Sequence, residues 1–179
     1  MIKTIFALLL TLAGLHAVAD TITPKLDSCL EPIPQTLRTA LIIKYSQWKV
    51  VHLADLDDDD QRLWTAKYQN ICPGVTSGNF DGSKRVQFAL LLVNSSKKRI
   101  LLLYAVSDED GQYRINKILE DRVDRLSVVY RAPQGIYQAV EDDSSVRTDH
   151  DVIVLETIEA GSIVFYLRNG KFQRKIVSD

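Results

Sequence analysis

The chain has 179 residues, with 22 Lys and Arg against 23 Asp and Glu, a formal net charge of −1. Such a balance argues against nonspecific nucleic-acid binding, and no apolar run after the first 19 residues approaches the roughly 20 needed to cross a bilayer. With 2 Cys, 3 His and 1 Met in all, methionine-rich metal sites are excluded and Cys/His zinc sites lack ligands.

Residues 1–19 read as a signal peptide. Lys3 supplies the positive start, Ile5 to Leu15 are almost wholly apolar, and Ala17-Val18-Ala19 is a small-residue cleavage site. Cleavage before Asp20 leaves residues 20–179 as one globular domain, periplasmic or secreted. No cysteine stands directly after the cleavage site, so no lipid anchor is indicated. In an oxidising compartment Cys29 and Cys72 are expected to form one disulfide. It would tie the N-terminal segment to the Cys72-Pro73-Gly74 turn and contribute about 4 kcal/mol through loop closure. The pair lacks the CxxC spacing that tunes redox-active thiols.

From Asp20 to Pro34, prolines indicate an extended arm. Pro34 suits a helix's first turn, and Leu37, Ala40, Leu41 and Lys44 follow helical spacing, so a helix is expected over about 34–45. Gln47 to Leu56 alternates as a strand, with Trp48, Val50, His52 and Ala54 on one face. The acidic run Asp57 to Asp60 ends it and caps a short helix over Gln61 to Tyr68. Thereafter the pattern is β. Val86 to Val93 and Arg99 to Val106 read as strands, and within them Phe88 to Val93 and Ile100 to Tyr104 are apolar on both faces, which marks central strands. Further strands fit Tyr113 to Leu119, Leu126 to Tyr130, Ile136 to Val140, Asp151 to Ile158 and Ser162 to Arg168. Asn169-Gly170 signals a tight hairpin into Lys171 to Val177. The expected fold is α+β, with N-terminal helices packed on a mainly antiparallel, meander-like sheet and one disulfide.

Asp55, Asp57 and Asp59 have the spacing of an oxygen-rich calcium loop, but Asp60 and Ala66 stand where an EF-hand needs Gly and Glu. A solvated capping run is the better reading. Gly78-Asn79-Phe80-Asp81-Gly82 enters the apolar strand at Phe88 and resembles the loop of FG-GAP or VCBS-type repeats over residues 78–88. The resemblance implies calcium ligation by Asn79 and Asp81. Ser83, Lys84, Arg85 and Gln87 depart from the pattern, and two of them would repel a cation, so a structural turn is expected instead. His150 lies between Asp149 and Asp151 with Ser144-Ser145 nearby, yet no nucleophile elbow occurs. Glu156 and Glu159 fall on opposite faces of an extended strand, which argues against a glycosidase pair.

Together with the export signal, Trp48-x-Val50-Val51, Cys72-Pro73-Gly74 and Asn169-Gly170-Lys171-Phe172…Ser178-Asp179 resemble small exported bacterial proteins of uncharacterised function. That resemblance implies a compartment and a compact fold, and transfers no catalytic residue. No catalytic residue, metal or cofactor is assigned. The expectation is a non-enzymatic binding domain, such as an inhibitor or immunity-type protein, with a protein partner in the cell envelope. Its expected recognition surfaces are Asp57, Asp58, Asp59 and Asp60, and the turn bearing Asn79, Asp81, Lys84 and Arg85. The alternatives are an envelope-polymer hydrolase using Asp81, Glu156 or Glu159 with His150, and a calcium-stabilised module.

Overall fold

The computed structural model describes residues 29–69, 71–140 and 144–177. The expected signal peptide and most of the expected arm lie outside the described residues. Helix α1 (Gln35–Lys44) begins after Pro34 and ends where the Tyr45 N–H donates to the Leu41 carbonyl. Strand β1 (Trp48–Val50) is much shorter than expected. The correction has a local cause. The Asp55 carboxylate accepts the His52 N–H at 3.1 Å, folding Leu53–Asp55 into a 3-10 turn. A side chain that bonds its own backbone competes with the sheet ladder. His52 therefore leaves the strand and precedes the turn. Helix α2 (Asp58–Tyr68) starts three residues before the expected Gln61, because Asp57 accepts the Asp60 N–H at 3.0 Å and serves as its N-cap.

The strands of the described residues follow an antiparallel plan, but they do not form one meander. Strands β3 (Gln87–Asn94), β4 (Arg99–Ser107) and β5 (Tyr113–Arg122) pair in the order β1-β3-β4-β5, with β2 (Val75–Ser77) also on β3. Strands β6 (Val128–Ala132), β9 (Val152–Thr157), β10 (Gly161–Arg168) and β11 (Lys171–Val177) make a second sheet in the order β11-β10-β9-β6. Strands β7 (Gly135–Gln138) and β8 (Ser145–Thr148) form a separate hairpin. Pro133 separates β6 from β7, since it has no N–H to give to a ladder.

The double apolarity of β3 and β4 explains the layering. Ala89, Leu91, Leu102 and Val106 pack with Val129, Ile153, Leu155 and Phe165 of the second sheet. The alternate residues Leu90, Leu92, Leu101 and Leu103 pack with Leu37, Leu41 and Ile33. Trp64 of α2 belongs to the first of these clusters. The two helices thus serve different apolar clusters and do not build the joint N-terminal layer expected. On the far side of the second sheet, Val152, Val154, Val164 and Tyr166 pack with Val146 and Tyr137 of the hairpin.

The Cys29–Cys72 disulfide is formed, with the two Cα atoms 5.0 Å apart. Next to it, Gly74 lets the chain pass against Val51: a Cβ there would run into the Val51 backbone. The Gly74 carbonyl accepts the Leu91 N–H at 2.8 Å, and the Leu91 carbonyl accepts the Val51 N–H at 2.9 Å. Among the described residues no helix is long and apolar enough to cross a membrane.

Candidate functional site

The turn between β2 and β3 joins the two sheets, and Asp81 is its hub. Gln87, the first residue of β3 and 1% exposed, accepts the N–H groups of Phe80 and Asp81 at 2.7 and 3.1 Å. Its amide nitrogen donates to the Asp81 carboxylate at 2.5 Å and to the Ser83 hydroxyl at 3.1 Å. Asp81 also accepts the Ser83 N–H at 2.8 Å, the Tyr104 hydroxyl at 3.0 Å and the Arg85 guanidinium at 3.2 Å. Burial works to raise the Asp81 pKa, but the Ser83 and Tyr104 hydrogen bonds and the Arg85 charge hold it below the usual carboxylate range. Burial and the same carboxylate push the Tyr104 phenol well above its ordinary value.

This arrangement accounts for the departures from a calcium loop. The neutral Gln87 amide and the charged Arg85 guanidinium donate to the two Asp81 oxygens that a bound cation would need. Calcium at Asn79 and Asp81 would have to displace both. Among the described residues no group of three or more His, Cys, Asp and Glu side chains is arranged to hold a metal ion. Asn79 acts through its backbone, donating to the Asp151 carboxylate at 2.9 Å and accepting the Asp151 N–H at 3.1 Å. Gly82 has φ +75°, and a Cβ on it would lie 2.5 Å from the His150 ring. The turn is consequently clamped to the segment between β8 and β9.

Two clefts open on either side of this clamp. The first, about 460 Å³, lies between β8 and β10 and is lined by Ser145, Asp149, His150 and Arg168, among others. Among the described residues His150 makes no hydrogen bond to Ser145 or Asp149, and Ser144 instead accepts from Lys175 at 2.7 Å. The second, about 580 Å³, lies between β5 and the β10–β11 hairpin. Tyr104, Val106, Leu167 and Phe172 give it an apolar floor, with the Tyr104 and Phe172 rings 5.0 Å apart and edge to face. Arg114, Asn116, Lys117 and Lys171 surround that floor, and all four are exposed.

Strand register explains this rim. Arg114 pairs with Val106 and Asn116 with Tyr104, so both share the face that β4 turns toward the second sheet. Their neighbours Tyr113 and Ile115 pack on the opposite, α1-side cluster. Lys171 is delivered by the Asn169-Gly170 turn, where both residues have positive φ, 53° and 73°.

The acidic run is divided by its roles. Asp60 is 1% exposed and accepts Arg125 through both oxygens, one at 2.8 Å, which removes it from the expected recognition surface. Asp57 caps α2 and lies 3.6 Å from Arg125. Asp58 and Asp59 are exposed, and Asp59 pairs with Arg62. Asp55, just before the run, is buried against Lys49 at 2.6 Å and Lys97 at 3.1 Å. Within the turn, Lys84 and Arg85 are exposed, whereas Asp81 is enclosed.

The remaining carboxylates do not meet. Glu156 is 6% exposed, with Lys67 at 3.7 Å and Tyr130 beside it. Glu159 lines a shallow acidic depression with Asp57, Asp58, Asp59 and Arg125. Sequence reasoning names Gln87 only as a departure from the loop pattern and misses Arg114, Lys117 and Lys171. Alternation along β5 is a usable signal for Arg114 and Asn116. The approach of β5 to β11 has no local signature. No family model, no curated protein and no solved structure matches the chain.

Proposed function

We propose that the chain is an exported, non-enzymatic binding domain, periplasmic or secreted, that acts on a protein partner in the cell envelope. The observation that carries the reading is the separate engagement of its candidate catalytic groups. Asp81 is saturated by Ser83, Gln87, Arg85 and Tyr104. Glu156 is buried against Lys67, Glu159 faces Arg125, and His150 lines another cleft. Charged groups used as internal ties give a rigid surface, which is what an inhibitor or immunity-type protein needs. The Cys29–Cys72 bond supports export, because disulfides persist in oxidising compartments.

Affinity capture from envelope extracts tests the reading. The mature chain is expected to retain a specific partner stoichiometrically and to turn over no envelope polymer. Polymer cleavage abolished by His150→Ala, with no partner retained, would support the hydrolase alternative. The calcium-stabilised alternative predicts a Tm that rises with calcium and falls with chelator; the binding-domain reading predicts no change with either.

A further inference from the structure

We infer that the cleft between β5 and β11 receives an extended acidic segment of the protein partner, with apolar side chains on its floor and carboxylates on Arg114 and Lys171. The inference rests on the binding-domain reading and gives that partner its chemistry. Three observations lead to it. The cleft has an apolar floor of Tyr104, Val106 and Phe172 beneath exposed cations, so it matches a segment that alternates apolar and acidic residues. Neither Arg114 nor Lys171 has an ion-pair partner among the described residues, unlike Arg85, Arg99 and Arg125. The one carboxylate in the lining, Asp81, is already neutralised by Arg85 and held by Tyr104.

The fold argues for an extended occupant. Strands β5 and β11 each stand last in the pairing order of their sheet, and the outer edge of β11 is bonded to Ala139 and Val140 only at its far end, around Ile176 and Val177. An added strand places alternate side chains toward the floor and carries its backbone donors and acceptors to a ladder. On these strands Lys117 is tied to Glu120 and Lys175 is bonded to Ser144, whereas Arg122 and Arg174 make no ion pair among the described residues but lie outside the cleft lining. Arg114 and Lys171 are left facing the cleft. Asn116, beside Arg114 on the same face, offers both an amide donor and an acceptor.

Fluorescence anisotropy with the mature, oxidised chain tests this with a labelled alternating Glu-Val peptide of about eight residues, long enough to lie along most of β5. Its Gln-Val counterpart is the neutral control. The Glu-Val peptide is expected to bind at least about tenfold more tightly, and to weaken as salt rises from about 20 to about 200 mM. The double substitution Arg114→Glu/Lys171→Glu should abolish that preference. A charge-matched Lys44→Glu/Lys98→Glu variant, altered at exposed positions outside the cleft, should retain it. Circular dichroism and Tm confirm that both variants fold.

Equal affinity for the two peptides would overturn the inference. So would unchanged binding by the cleft variant, or binding to inorganic polyphosphate but to neither peptide. Failure of the cleft assignment is distinguishable from failure of the binding-domain reading. A specific envelope partner captured equally by wild type and by Arg114→Glu/Lys171→Glu would remove the cleft assignment alone. Polymer turnover without any partner would remove the reading beneath it.

Discussion

Arg125 crosses 65 positions of sequence to close on Asp60, and the same guanidinium lies 3.6 Å from Asp57 at the cap of α2. Asp60 is almost wholly buried, so losing Arg125 would leave a carboxylate without its cation in the protein interior. Arg125→Ala should cost about 2 kcal/mol, less than breaking a wholly buried pair because Arg125 itself keeps solvent contact. Urea denaturation measures this, and Asp59→Ala, on an exposed neighbour, should move the midpoint little. The acidic run is legible as a capping device through Asp57. Its division into exposed and buried members is not, because the cation that buries Asp60 comes from a distant loop.

Acid adds a second test at the same scale. At Asp55 burial acts to raise the pKa, but hydrogen bonds from Lys49, His52 and Lys97 together bring it below the usual value. Asp81 is shifted in the same direction by its own ring of donors. Folding therefore favours the charged form of both groups. The stability they contribute is complete above the ordinary Asp value of about 3.9 and is lost as pH falls through their lower folded values. Tm followed from pH 7 into this acid range should show a steeper fall for wild type than for Asp55→Asn. Parallel curves would show that Asp55 contributes no linked stability.

Among the elements, the Asn79–Gln87 turn shows where reading by pattern succeeds and where it ends. Gly82 and the acidic Asp81 mark a tight turn before an apolar strand, and the turn is present. Arg85 and Gln87 engage its carboxylate, Asp81, and so determine its chemistry. Gly82→Ala is expected to destabilise by about 1–3 kcal/mol, since it strains a positive-φ position and drives a Cβ into His150. Pairing it with His150→Ala should recover the steric share and leave the backbone share, a separation that a double-mutant cycle measures. Strands with strong alternation or double apolarity, such as β3, β4 and β11, lie near the limits their sequence predicts. The short β2 and β8 escape a reading by pattern because three or four residues carry too little periodicity. The strand expected over Gln47 to Leu56 stops at Val50 because a side-chain hydrogen bond outcompetes the ladder.

At the scale of the whole molecule, α1, the two larger sheets and the β7–β8 hairpin are joined through three apolar clusters. The disulfide ties the start of the described chain to the turn beside Gly74, at the edge of the α1-side cluster. Replacing Cys29 and Cys72 by Ala should lower stability by about 2–5 kcal/mol in a urea titration. The α+β class and the antiparallel pairing are legible because adjacent hairpins announce themselves. Separation into distinct sheets is not, since it depends on which faces meet across the core. The cleft between β5 and β11 belongs to that tertiary level. Its floor and rim come from strands far apart in sequence, and no short motif contains them.

The most direct measurement is amide chemical-shift mapping of isotope-labelled residues 20–179 during titration with a protein retained by affinity capture from envelope extracts. A saturable complex is predicted, with the largest shifts along β5 from Arg114 to Lys117 and around Lys171 and Phe172. Saturable binding with shifts centred on Ser145, Asp149 and His150, and none along β5 or β11, would contradict it.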